Sequence, residues 1–163
     1  TWLYAGIFTG QPNGIYSSCG KIWSQGRILM GDTSTAGNSG PGYAKHPEHT
    51  IKLEPCAQRV RAVLNGETIA ETTRALAMWE GDYAPRYYVP REDVRRDMVS
   101  ATETDTYCPF KGNASYWTFR VGDQIAEDAA WSYETPYDEM MAIKGYFCFY
   151  DDRVDELIID DPA

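Results

Sequence analysis

The chain has 163 residues, 43% of them apolar and 24% charged, a balance that fits one globular domain and argues against disorder. Its net charge is −9, and from Asp123 onward twelve acidic residues stand against Lys144 and Arg153 alone. An acidic surface repels nucleic-acid phosphates and anionic lipid heads, so neither is an expected partner. No run approaches the ~20 apolar residues that span a bilayer. The opening TWLYAGIFTGQPNGIYSS lacks the basic start and continuous apolar core of a secretory signal. Cys19, Cys56, Cys108 and Cys148 include no C-x-x-C pair, which argues against a closed zinc site and leaves two disulfides as the other use of four cysteines. Cys148, inside the apolar run GYFCFY, instead reads as a free buried thiol. The expectation is a cytoplasmic protein with reduced thiols, no metal and no cofactor.

In chain order, residues 1 to 42 are set apart as a flexible or extraneous segment. Residues 1 to 29 are rich in Gly, Ser, Gln and Asn, and Met30 then opens the linker-like GDTSTAGNSGPG and reads as a natural start, with residues 1–29 dispensable for folding; a short hairpin or extension packed on the body is the alternative. Residues 43–163 read as a single β domain. Gln58 to Leu64 alternates polar and apolar, Asn65-Gly66 accepts the positive φ of a tight turn, and ETIAETT returns: a β-hairpin. RALAMW is expected as another strand, Glu80-Gly81-Asp82 as its turn, and Arg86 to Val89 as a strand held extended after Ala84-Pro85. PREDVRRDMV, with Pro first and acids in the first turn, predicts a short helix of two to three turns. YCPFKG is a loop. Ala114 to Val121 and Gln124 to Tyr133 are strands about Gly122-Asp123, and GYFCFYDD and RVDELIID close the chain as a strand and an acidic edge strand. Short strands at roughly ten-residue spacing with one helix predict a small antiparallel β-sandwich or barrel-like domain.

Six blocks in order, NGETIAETTRAL, WEG, PRYYVPREDV, CPFKGNASYW, AWSYETP and GYFCFYDDRVD, resemble the domain-of-unknown-function 427 family over about residues 43–160. The resemblance implies a compact, mostly antiparallel β fold, akin to the β-tent proteins, and no particular reaction. A nucleotidyltransferase-like label sometimes attached to that family is the alternative it offers. The residues lend it little: no Gly-Ser loop precedes paired aspartates, and there is no Gly-rich phosphate cradle.

The candidate catalytic residues are Glu80, Cys108 and Lys111. Cys108 and Lys111 flank an aromatic on a Pro/Gly-bounded loop, where an ammonium suits an anion or a nucleophilic role and favours a neighbouring thiolate. The alternative is a buried thiol in a rigid turn and a lysine paired with a carboxylate. Glu80 ends a strand before Gly81, as an acid, base or acceptor would. Both Glu80 and Lys111 are expected at a rim, with little weight in stability. Arg86, Tyr87, Tyr116 and Tyr133 are the candidate ligand-binding residues, with Tyr87 and Tyr116 on one face and Tyr133, ahead of Pro136, at the closure. His46 and His49 are the only histidines and offer neither a metal set nor a catalytic triad. The leading functional expectation is a β domain that binds a polar or anionic small molecule, with or without catalysis. A peptide or modified-side-chain recognition module with an aromatic cage, or a structural protein with no pocket chemistry, are the other readings.

Overall fold

The computed structural model describes residues 37–161. After one helical turn, α1 (Pro41–Lys45), come β1 (Ile51–Pro55), β2 (Arg59–Leu64), β3 (Glu67–Thr72), β4 (Leu76–Glu80) and β5 (Arg86–Val89). Two 3₁₀ turns, Arg91–Asp93 and Arg96–Met98, lead into a long hairpin of β6 (Val99–Cys108) and β7 (Gly112–Val121). β8 (Gln124–Ser132), a 3₁₀ segment (Asp138–Ile143), β9 (Phe147–Phe149) and β10 (Glu156–Asp160) complete the fold. The strands form two antiparallel sheets: seven in the order β1-β4-β5-β9-β8-β7-β6, and three in the order β10-β2-β3. Of the two forms expected this is the sandwich: the large sheet keeps open edges at β1 and β6 and does not close into a barrel. Among the described residues no helix is long and apolar enough to cross a membrane.

The small hairpin forms as its sequence requires. Asn65 and Gly66 take φ of 50° and 73°, the left-handed pair that matches the twist of the flanking strands. Val60, Ala62 and Leu64 of β2 point one way, and meet Ala77, Val89, Phe119, Phe147 and Phe149 of the large sheet. That is the main core. Because successive side chains of a strand alternate, the neighbours Met78, Tyr88, Tyr116 and Cys148 project from the opposite face. There they build a second cluster with Tyr133, Met140 and Ile143. Each central strand therefore serves two cores, one aliphatic and phenylalanine-rich, the other rich in tyrosine.

One expectation is corrected, one strand was not foreseen, and one described element crosses the line drawn at residue 42. PREDVRRDMV is no helix of two to three turns: Val94 between its two 3₁₀ turns bridges to Ala70, and Arg95 N–H donates to Ile69 at 2.8 Å, so sheet contacts override local propensity. The strand Val99–Cys108, mostly exposed and without clean alternation, escapes the periodicity argument altogether. And the line drawn between residues 42 and 43 falls inside α1, with Gly42 N–H donating to Pro109 at 2.9 Å and Gly40 N–H to Glu139 at 3.1 Å. The expectations for residues 1–29 lie outside the described residues.

β6 is the outer strand of the large sheet. It pairs with β7 in two runs, Val99–Ala101 and Asp105–Cys108, offset from one another. Asp128, at a φ of 48°, accepts the hydroxyls of Thr102 and Thr104 at 2.8 and 2.9 Å across the offset.

Candidate functional site

The tip of the β6–β7 hairpin, Pro109 to Lys111, folds inward instead of into solvent. Gly112 makes this possible: its φ of 107° is open only to glycine, and a Cβ there would lie 3.3 Å from the Thr135 carbonyl oxygen. Phe110 and Lys111 are consequently buried, and the Lys111 ammonium donates to Glu80 Oε2 at 2.6 Å. Glu80, the last residue of β4, pairs in register with Ile51 of β1, which sets the preceding His49 beside it. His49 Nε2 lies 2.9 Å from Glu80 Oε1. An ionised carboxylate only accepts, so Nε2 carries the proton. His49 in turn stacks on Phe110, ring centroids 3.9 Å apart, and Tyr43 meets the same ring edge-on at 5.0 Å. α1 and the segment after it thus sit as a cap against the hairpin tip, tied by one carboxylate with two donors.

Beside this cluster the tyrosine-rich face opens into a cavity of about 1050 Å³. Its floor, Tyr88, Trp131 and Tyr116, follows from strand register: Tyr88 and Trp131 both pair with the buried Cys148, and Trp131 with Tyr116, across β5, β9, β8 and β7. Trp131 packs on Tyr150 at 4.5 Å, and the Tyr116 hydroxyl lies 3.0 Å from that of Thr106 and 3.4 Å from that of Tyr150. Burial raises the phenols of Tyr133, Tyr150 and Tyr88 well above their ordinary value, and pushes Tyr43, which also faces the Glu139 and Glu80 carboxylates, up to about 12. All four stay neutral hydroxyls at physiological pH. Burial likewise pushes the Cys148 thiol up to about 12.

Most of the sequence-derived candidates converge here. Glu80, Arg86, Cys108, Lys111, Tyr116 and Tyr133 all line the cavity. Tyr87 does not: it packs against the main core, and its neighbour Tyr88 occupies the face assigned to it. Two adjacent tyrosines carry no sign of which is inward, so their parity waits on the pairing of β5 with β9. The rim placement of Lys111 is also corrected, since its side chain is only 10% exposed and that of Glu80 22%. His49, Trp131 and Tyr150 were not among the candidates. Nothing in the aperiodic run to residue 50 marks His49, whereas Tyr150 shares the alternation of Cys148 and was open to detection.

Among the described residues no group of three or more His, Cys, Asp or Glu side chains is placed to hold a metal ion. Fold and site together define a two-sheet β domain whose larger sheet carries an aromatic cavity with a buried ion pair. The family model described as Domain of unknown function (DUF427) matches residues 52–160, and the chain belongs to that family. The cap residues Tyr43 to His49 precede the matched range. No curated protein matches the chain.

Proposed function

We propose that the tyrosine-rich face of the large sheet binds a small molecule. The observation that carries this is the cavity of about 1050 Å³, the size class of ligand sites, with aromatic walls and a few convergent polar groups. The opposite face leaves a cavity of only about 180 Å³, beside Trp117 and Phe147. The rival reading, an aromatic cage for a cationic side chain, relies on the attraction of ring faces for a cation, and Lys45, Arg86 and Lys111 on the same wall would repel one. Among the described residues the carboxylates on the wall are Glu80, which already faces Lys111 and His49, and Glu48, which is exposed. The test is a thermal-shift screen of metabolites on the full chain. A ligand present at a hundred times its Kd stabilises by about 2.7 kcal/mol, a rise of roughly 5–10 °C for a domain of this size. The shift should disappear in Trp131→Leu. A screen without hits, or a shift that Trp131→Leu leaves unchanged, refutes the proposal.

A further inference from the structure

The cavity wall runs against the charge of the chain. Among the described residues three cations, Lys45, Arg86 and Lys111, line it against two carboxylates, Glu48 and Glu80, in a protein whose net charge is −9. Neither carboxylate is available unopposed. Glu48 stands at the rim, its side chain 74% exposed and 3.3 Å from His46. Glu80 has Lys111 on one oxygen and His49 on the other. The ammonium of Lys111 keeps two further N–H donors beyond the one it gives to Glu80. Arg86 stands opposite Met78 in the β4–β5 ladder, one pleat repeat from the row that holds Glu80, and so brings its guanidinium to the same end of the sheet. The wall also carries the hydroxyls of Thr106, Tyr116, Tyr133 and Tyr150; the two bonds that link Thr106, Tyr116 and Tyr150 take up two of their three protons.

A ligand that answers this wall is rich in acceptors and negatively charged, while the transverse row from Tyr88 to Trp131 asks for an apolar surface of ring thickness. We infer that the cavity takes an oxyanion borne on an apolar, ring-bearing body, its charged end toward Lys45, Arg86 and Lys111 and its ring against Trp131 and Tyr150. Glu80 is then a positioning residue: it holds Lys111 and His49 in place and does not itself meet the ligand. The inference rests on the proposal that this face binds a small molecule.

The probe is anilinonaphthalene sulfonate, an apolar ring system with one oxyanion, set against its uncharged relative phenylnaphthylamine. Fluorescence titration of the full chain, with folding checked by near-ultraviolet circular dichroism, should give one sulfonate site per chain. It should bind at least about tenfold tighter than the neutral dye, the worth of a charge-assisted hydrogen bond. That preference should shrink as salt screens the cations. Lys45→Gln, an exposed position in α1, combined with Arg86→Gln should reduce the ratio of the two affinities toward one; Lys45→Gln alone, which is expected to fold, should lower it part of the way. Trp131→Leu should weaken both dyes together. Equal affinity for the two dyes, or a preference that survives the double variant, overturns the oxyanion assignment and leaves small-molecule binding standing. Failure of both dyes to bind the folded protein, or binding indifferent to Trp131→Leu, overturns the inference and the underlying proposal alike.

Discussion

Glu80→Gln keeps the shape of the side chain and removes its charge, which leaves the Lys111 ammonium buried without a counterion. Because the Lys111 side chain is only 10% exposed, solvent cannot make good the loss, and the expected cost is about 3–5 kcal/mol. Lys111→Met is the milder perturbation. Glu80 is more exposed, at 22%, and still accepts from His49, so about 2 kcal/mol is expected. The double variant replaces the pair by a neutral amide and an apolar chain of matching length, and should recover much of what the singles lose. Urea unfolding followed by tryptophan fluorescence gives all three values, and the double variant should be less destabilised than the sum of the singles by at least about 2 kcal/mol. An exposed pair behaves otherwise, with a contribution below about 1 kcal/mol. If Glu80→Gln unfolds within about 1 kcal/mol of the parent and the two effects add, the ammonium is hydrated and the buried-pair argument is wrong.

A Cβ on Gly42 would sit 2.6 Å from the Phe110 ring, which His49 and Tyr43 hold on both sides, so Gly42→Ala should lower stability by about 1–3 kcal/mol in the same unfolding assay. In a Cys19→Ser protein, titration with a thiol-exchange reagent should report the half-buried Cys108 while the fold is intact. Cys56 and Cys148 should react only on unfolding, the latter with its thiol pushed up to about 12. Arg59 holds the Asp160 carboxyl below its usual value, so its interaction favours the fold above the unfolded carboxylate range and is lost as pH falls through the lower folded value. A carboxyl-detected NMR titration should show that low midpoint, and Arg59→Gln should return it toward the reference. Elemental analysis should find zinc only below stoichiometry; one zinc per chain bound through Cys108 would contradict the reading of the cysteines.

How much of this was legible beforehand depended on whether the signal was local. The hairpin about Asn65-Gly66 was readable to within a residue, because turn chemistry and alternation agree there. The strands on either side of Gly122-Asp123 were readable for the same reason. Val99–Cys108 was not, since an edge strand exposed on most of its length has no face to declare. At the site, the blocks brought forward Glu80, Cys108 and Lys111 as catalytic candidates and Arg86 as a ligand-binding one, and all four line the cavity. A carboxylate partner for Lys111 was among the alternatives, but Glu80 was not named as that partner, because the two are 31 residues apart and only the fold brings them together. The parity of Tyr87 and Tyr88 was missed because both residue types suit either core. His49 gave no signal: a histidine in an aperiodic run becomes part of a site only when β1 registers on β4.

The offset in β6 has a consequence for the company this protein keeps. A flat outer strand ten residues long is a template on which another polypeptide can add itself, as fibrils and domain-swapped dimers do. Here the strand is bent where Thr102 and Thr104 reach across to Asp128, and Glu103 and Asp105 put like charges along its exposed length. An incoming strand would find only about three or four residues in line before the bend carried the next donors away from it. The polar pin that looks like a local irregularity therefore works against strand addition at the β6 edge, and it does so without giving up the long hairpin whose tip delivers Lys111 to the cavity.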